Sequence, residues 1–112
     1  MDKLVKAGFD AAYGVRLVNN REFYISLAGR FIDELVISLY TIEDLTACGD
    51  YEELIRIFHT IKGSSAMVGH EGIREKSQEL EMMIKTGNIE NLEEKTEQYI
   101  KYCSEIIDLV RC

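Results

Sequence analysis

Four long stretches of the sequence repeat apolar residues at intervals of three and four, the spacing of helices that bury one face. The chain contains no proline, and Gly49, Gly69 and Gly87 stand where the first three stretches stop. Glycine at these positions fits the left-handed residue that ends many helices. The pattern predicts an all-α chain.

Capping residues set the predicted boundaries. Asn19 and Asn20 are both candidate caps for the first long helix. Asn19 with Glu22, and Asp50 with Glu53, have the spacing of capping boxes. A shorter apolar pattern, which Gly14 weakens, precedes the first long stretch. After a loose leader at residues 1–8, the predicted helices span residues 9–17, 21–47, 50–69, 71–86 and 89–111.

Long helices joined by only a few residues must pack as antiparallel neighbours. We therefore predict an antiparallel up-down four-helix bundle with a short extra N-terminal helix, formed by residues 1–112 as one domain. The positions expected to face its interior include Leu54, Ile61, Leu80 and Tyr99.

Charge and cysteine content narrow the classes of function. The net charge is −7 and there is no basic run, which argues against a nucleic-acid partner. The three cysteines are odd in number and lack CxxC spacing, so we expect free thiols in a reducing compartment. No apolar run approaches the roughly 18 residues of a membrane span. We expect a cytoplasmic monomer without membrane contact.

His59 is followed one turn later by Gly63, in the middle of a predicted helix. A glycine there costs roughly 1 kcal/mol relative to alanine, so its position calls for a reason. On a helical wheel, His59 lies about 140° from the centre of the buried stripe, and Gly63 about 180°. The imidazole is therefore expected to be exposed, with no side chain at position 63 to block a large partner.

The next helix supplies a partner for the ring. If the chain reverses near His70, antiparallel residues face each other when their numbers sum to about 140. Glu81 then lies opposite His59, and Gln78 lies opposite Lys62. Either Glu81 or Gln78 can accept the Nδ1–H of the imidazole and leave Nε2 free as a nucleophile, and Glu81 is the first choice.

Such an imidazole can attack a phosphorus atom, and the Lys62 ammonium can meet the charge on the phosphoryl oxygens. The sequence lacks GxxxxGK[ST] and any other ATP-binding motif, so the donor must be another protein or domain. We therefore expect a phosphotransfer intermediate and not an enzyme with its own turnover. A metal site is disfavoured because neither histidine has the Glu-x-x-His spacing of di-iron bundles.

The run His59-Thr60-Ile61-Lys62-Gly63-Ser64-Ser65, followed by Gly69, resembles the signature H-x-[IL]-K-G-[SG]-[SA]-x-x-x-G of histidine-containing phosphotransfer (HPt) domains. The resemblance extends over nearly the whole chain. Its weaker matches are Gly14-Val15-Arg16, Tyr24 to Phe31, Ala47-Cys48-Gly49-Asp50, Leu80-Glu81 and Thr86-Gly87-Asn88.

The resemblance implies a bundle that carries phosphate between receiver domains of a multistep phosphorelay. His59 would take the group on Nε2 from a receiver aspartate and pass it to another receiver. The implied partners are response-regulator receiver domains or a hybrid histidine kinase. The chain would hold no cofactor, and Mg²⁺ would belong to the receiver. His70 departs from the pattern, because the family often has a small or apolar residue there; we interpret it as a turn residue.

A further apolar stripe on the long second helix predicts a docking surface. Val36, Leu39 and Tyr40 are expected to lie level with His59, and to bind the receiver together with Ile55 and Ala66. For the start of the same stripe, at Ile25 and Ile32, cover by the short first helix is an equally good interpretation.

Two other functions remain open. The second choice is the excised phosphoacceptor domain of a chemotaxis-type histidine kinase, phosphorylated by a separate ATP-binding domain, which the sequence does not separate from the first. From another class, it fits a helical adaptor that binds a partner through the apolar stripe while His59 is chemically idle.

Overall fold

The computed structural model describes residues 1–111, and Cys112 lies outside them. The described chain is entirely helical, which confirms the predicted class. Its helices are α1 (Asp2–Lys6), α2 (Ala11–Val18), α3 (Arg21–Cys48), α4 (Tyr51–Val68), α5 (Glu71–Lys85) and α6 (Leu92–Arg111).

Helices α3 to α6 form the predicted antiparallel bundle. The Tyr24 hydroxyl, at the start of α3, donates to the Val68 carbonyl at the end of α4, over 2.7 Å. Arg111, at the end of α6, forms an ion pair of 2.6 Å with Asp33 in the first half of α3. The first bond joins the start of α3 to the end of α4, and the second joins the first half of α3 to the end of α6, so α4 and α6 both run antiparallel to α3.

The interior contains the residues that the apolar periodicity selects. Leu54, Ile61, Leu80 and Tyr99 are all buried, and each such side chain contributes roughly 1.5–3 kcal/mol by leaving water. Phe58 meets the edge of the Tyr99 ring with centroids 5.2 Å apart. The prediction of these inward faces is confirmed.

The N-terminal segment differs from the prediction. The expected loose leader contains α1, whose Leu4 is buried, as is Ala7 just after it. Five helical residues are too few to show a period, so only packing against the bundle reveals this helix. The second short helix begins at Ala11, two residues later than expected, because the Asp10 side chain caps it by accepting the Tyr13 N–H at 3.1 Å.

One further boundary differs, and two caps can be assigned. Of the two asparagines that could cap α3, Asn20 does so, because Asn19 has already taken the left-handed conformation (φ 54°) that ends α2. Asp50 caps α4 as predicted. The last helix begins at Leu92 and not at residue 89, because turns follow Gly87 (φ 77°) before the helix starts.

Gly14 has a packing role. A Cβ at this position would lie 2.0 Å from Cε1 of Tyr24. Because Gly14 has no side chain, α2 can pack directly against the Tyr24 ring at the start of α3.

Two properties of residues 1–111 bear on the expected free thiols and the expected lack of a membrane span. Cys48 is exposed and Cys103 is buried, and both are free thiols, whereas Cys112 lies outside the described residues. None of the described helices combines the length and the hydropathy needed to cross a bilayer.

Candidate functional site

His59 projects from α4, and 66% of its side chain is exposed. Its Nδ1 lies 3.0 Å from Oε2 of Glu81 on α5. Within residues 1–111, Nε2 makes no hydrogen bond. One ring nitrogen is thus held by the protein while the other is free.

Glu81 is the buried centre of the site, with only 1% of its side chain exposed. Oε1 accepts from Lys62 Nζ at 2.8 Å, and Oε2 lies 3.0 Å from both His59 Nδ1 and Lys85 Nζ. Burial by itself raises the pKa of Glu81, but the hydrogen bonds from Lys62, Lys85 and His59 outweigh it and lower the pKa to about 2. The carboxylate is therefore ionised at neutral pH and acts only as an acceptor. Nδ1 therefore carries a proton, and in the neutral tautomer that this contact selects the lone pair lies on Nε2.

Gln78, the other candidate for this role, lies elsewhere. Its side chain is exposed and its Oε1 accepts from the Arg74 guanidinium at 2.9 Å. Antiparallel packing of the two helices allowed either Gln78 or Glu81 to face the ring, and Glu81 is the residue that contacts His59.

Lys62 is close to His59, but its ammonium group forms an ion pair with Glu81. The Lys62 side chain is 28% exposed. A role in binding phosphoryl oxygens requires it to turn outward. Lys85 was not predicted, although the spacing of four residues from Glu81 is the helical signal that would have found it.

Gly63 leaves open space beside the imidazole. A Cβ built there meets no atom within 4 Å outside its own stretch of helix. His59 and Gly63 line a groove of about 500 Å³ between α3 and α4. The other lining residues are Leu27, Arg30, Phe31, Glu34, Thr60, Ser64, Met67 and Val68.

The residues expected to dock a partner fall on two faces. Ile55 and Ala66 are half-buried on α4, four residues before and seven after His59, which places them on its side of the helix. Val36, Leu39 and Tyr40 line a different groove, between α3 and α6, which shares no residue with the His59 groove. Counting residues from the turn at Gly49 predicts the level of a residue along the bundle axis. It does not determine which face of α3 packs against α4.

The start of the same stripe is covered only in part. Ile32 is buried, whereas Ile25 remains exposed.

His70 is more than a turn residue, which corrects the prediction. It is buried and caps α5, with Nδ1 accepting the Ile73 N–H at 3.1 Å. Nε2 therefore carries the proton and donates to the Ala7 carbonyl at 2.8 Å, and the ring packs on Phe9 with centroids 4.8 Å apart. Burial lowers the pKa of His70. Of the two histidines in the chain, this one has no free ring nitrogen.

Comparison with known families agrees with this geometry. A family model described as the Hpt domain matches residues 26–110, which span most of α3 and all of α4 and α5. Comparison with curated proteins gives no significant match, and comparison with solved structures gives none either. Members of the matched family are phosphocarriers of two-component signalling that transfer a phosphoryl group through a histidine, and the match spans well over half of the sequence. The chain belongs to the Hpt domain family.

Proposed function

We propose that the protein is a phosphorelay intermediate in which Nε2 of His59 accepts a phosphoryl group from a receiver-domain aspartate and passes it to another receiver. The observation that carries this proposal is the 3.0 Å contact between Nδ1 and the buried Glu81 carboxylate, made by an imidazole that is otherwise exposed. The contact holds the ring in the tautomer that a nucleophilic Nε2 requires.

The transfer step is chemically balanced. The Nε2 lone pair forms a bond to phosphorus, the bond between phosphorus and the aspartate oxygen breaks, and the aspartate departs as a carboxylate. The phosphorylated ring keeps its Nδ1 proton and gains a positive charge. Glu81 faces that charge at hydrogen-bond distance, so the contact becomes stronger as the reaction proceeds. The reverse sequence delivers the group to the next receiver.

The surroundings of His59 suit a protein donor. The open space at Gly63 lets the edge of another domain approach Nε2. The groove beside it presents Arg30 and Glu34, of opposite charge, and the half-exposed apolar side chain of Met67. We propose that the receiver covers this groove and also contacts Ile55 and Ala66, while its own Mg²⁺ supports the departing aspartate.

The role of Lys62 follows from its position. It lies three residues after His59, less than one helical turn away. During transfer its ammonium turns from Glu81 to the phosphoryl oxygens, where it offsets their charge.

The test is phosphoryl acceptance from a purified, phosphorylated receiver domain. The wild-type protein should acquire phosphate that is labile in acid and stable in base, and His59→Gln should acquire none. An unphosphorylated receiver with free phosphate serves as the control. Phosphate that persists in His59→Gln, or none in the wild type, would overturn the proposal. A parallel incubation with ATP and a kinase catalytic domain tests for the chemotaxis-type donor.

A further inference from the structure

We propose that Lys85 is a positioning residue for this transfer. It keeps the buried Glu81 carboxylate compensated, so that Lys62 can leave for the phosphoryl group while His59 stays neutral. The inference rests on the proposed function, which supplies the incoming phosphoryl group.

The geometry divides the carboxylate between two cations. Lys62 occupies Oε1 alone, whereas Lys85 shares Oε2 with the imidazole. Glu81 is almost completely buried, but 48% of the Lys85 side chain is exposed. Two ammonium groups thus face one carboxylate, and these three groups together carry one excess positive charge.

This excess positive charge matters because a carboxylate without other partners favours protonation of a neighbouring histidine. A lone carboxylate beside an imidazole favours the protonated ring, in which Nε2 has no lone pair to attack with. Each ammonium on the same carboxylate opposes that effect. Arg30 and Glu34 of α3, which line the His59 groove, have opposite signs, and Arg56 of α4 is paired with Glu53.

The two lysines differ in what they are free to do. Lys62 lies on the same helix as His59, three residues after it, whereas Lys85 lies one turn beyond Glu81 on α5. When Lys62 turns outward, Oε1 loses its partner. A buried carboxylate without a cation is costly, so without Lys85 it would retain Lys62 or draw the imidazole into its charged form. With Lys85 bound to Oε2, the carboxylate keeps one cation, so it need not retain Lys62 or draw the imidazole into its charged form.

The experiment compares Lys85→Met with Lys85→Arg and with Lys101→Met, which removes an exposed lysine on α6. The rate of transfer from a phosphorylated receiver is measured across pH. Lys85→Met should slow transfer about tenfold at neutral pH, the scale of one hydrogen bond to a charged group. The acidic limb of its profile should move to higher pH, because the ring charges more readily. Lys85→Arg should restore most of the rate, and Lys101→Met should match the wild type.

A second readout does not depend on transfer. Nitrogen-15 NMR of the unphosphorylated proteins at neutral pH should show a larger charged fraction of the His59 ring in Lys85→Met than in the wild type. If both the NMR signals and the pH profile of Lys85→Met superimpose on those of the wild type, the inference is wrong. Failure of the wild type to accept phosphate would instead overturn the proposed function, and the NMR comparison would still decide the role of Lys85.

Discussion

The charge on Glu81 should stabilise the fold as well as the site, and Glu81→Gln measures that contribution. Glutamine keeps the shape of the side chain and can still accept the Nδ1–H of His59. It carries no charge for Lys62 and Lys85, both of which reach solvent. The substitution should therefore destabilise the bundle without leaving a buried ammonium group.

The expected size follows from the pKa. Burial acts to raise the pKa of Glu81, but its three partners lower it from the ordinary 4.5 to about 2, and each unit is worth about 1.4 kcal/mol. The charge thus contributes roughly 3 kcal/mol at pH 7. Because the pKa is depressed on folding, this stability is complete above about pH 4.5 and is lost as pH falls towards 2. At pH 3, roughly half of it should remain.

Urea unfolding followed by circular dichroism at pH 7 and pH 3 tests this reasoning. The wild type should exceed Glu81→Gln by roughly 3 kcal/mol in unfolding free energy at pH 7, and by roughly half as much at pH 3. Glu79→Gln, an exposed position on the same helix, should show no such pH-dependent gap. A gap that is absent at pH 7, or equal at both pH values, would refute the account of Glu81.

Two further substitutions test the access to His59 and the bond between His70 and Ala7. Gly63→Ala should raise the unfolding free energy by up to about 1 kcal/mol, because its Cβ meets open space, yet it should slow phosphoryl transfer; an unchanged rate would contradict the access role of Gly63. His70→Ala should cost roughly 2–4 kcal/mol in urea unfolding, since it removes a helix cap and a buried hydrogen bond to Ala7. Because the pKa of His70 is lowered on folding, wild-type stability should fall as pH drops below about 6.5; a His70→Ala variant with the same decline between pH 7 and 5 would contradict this.

The features that the sequence predicts are those with a local physical cause. Apolar spacing identifies the buried faces because one helix face must leave water, whatever it packs against. Short connections impose antiparallel packing, and that alone brings Glu81 opposite His59. Gly63, one turn after His59, stands out in the sequence because glycine is unfavourable inside a helix.

The features that it misses depend on distant contacts. The His70 ring bonds to Ala7, 63 residues away in the chain, and no periodic pattern encodes that pairing. Helix α1 exists through packing and not through propensity. The rotation of α3, which directs Arg30 and not Tyr40 towards the His59 groove, is set by the fit of whole helices. Spacing along the chain carries little of that information.

The central claim is that His59 reacts through Nε2 while Glu81 holds Nδ1. Long-range proton–nitrogen correlation NMR of the phosphorylated, nitrogen-15-labelled protein tests it most directly, because it distinguishes the two ring nitrogens. The account predicts phosphorus on Nε2 of His59 and a proton on Nδ1, with the His70 resonances unchanged. Phosphorus on Nδ1, or on any residue other than His59, would contradict it.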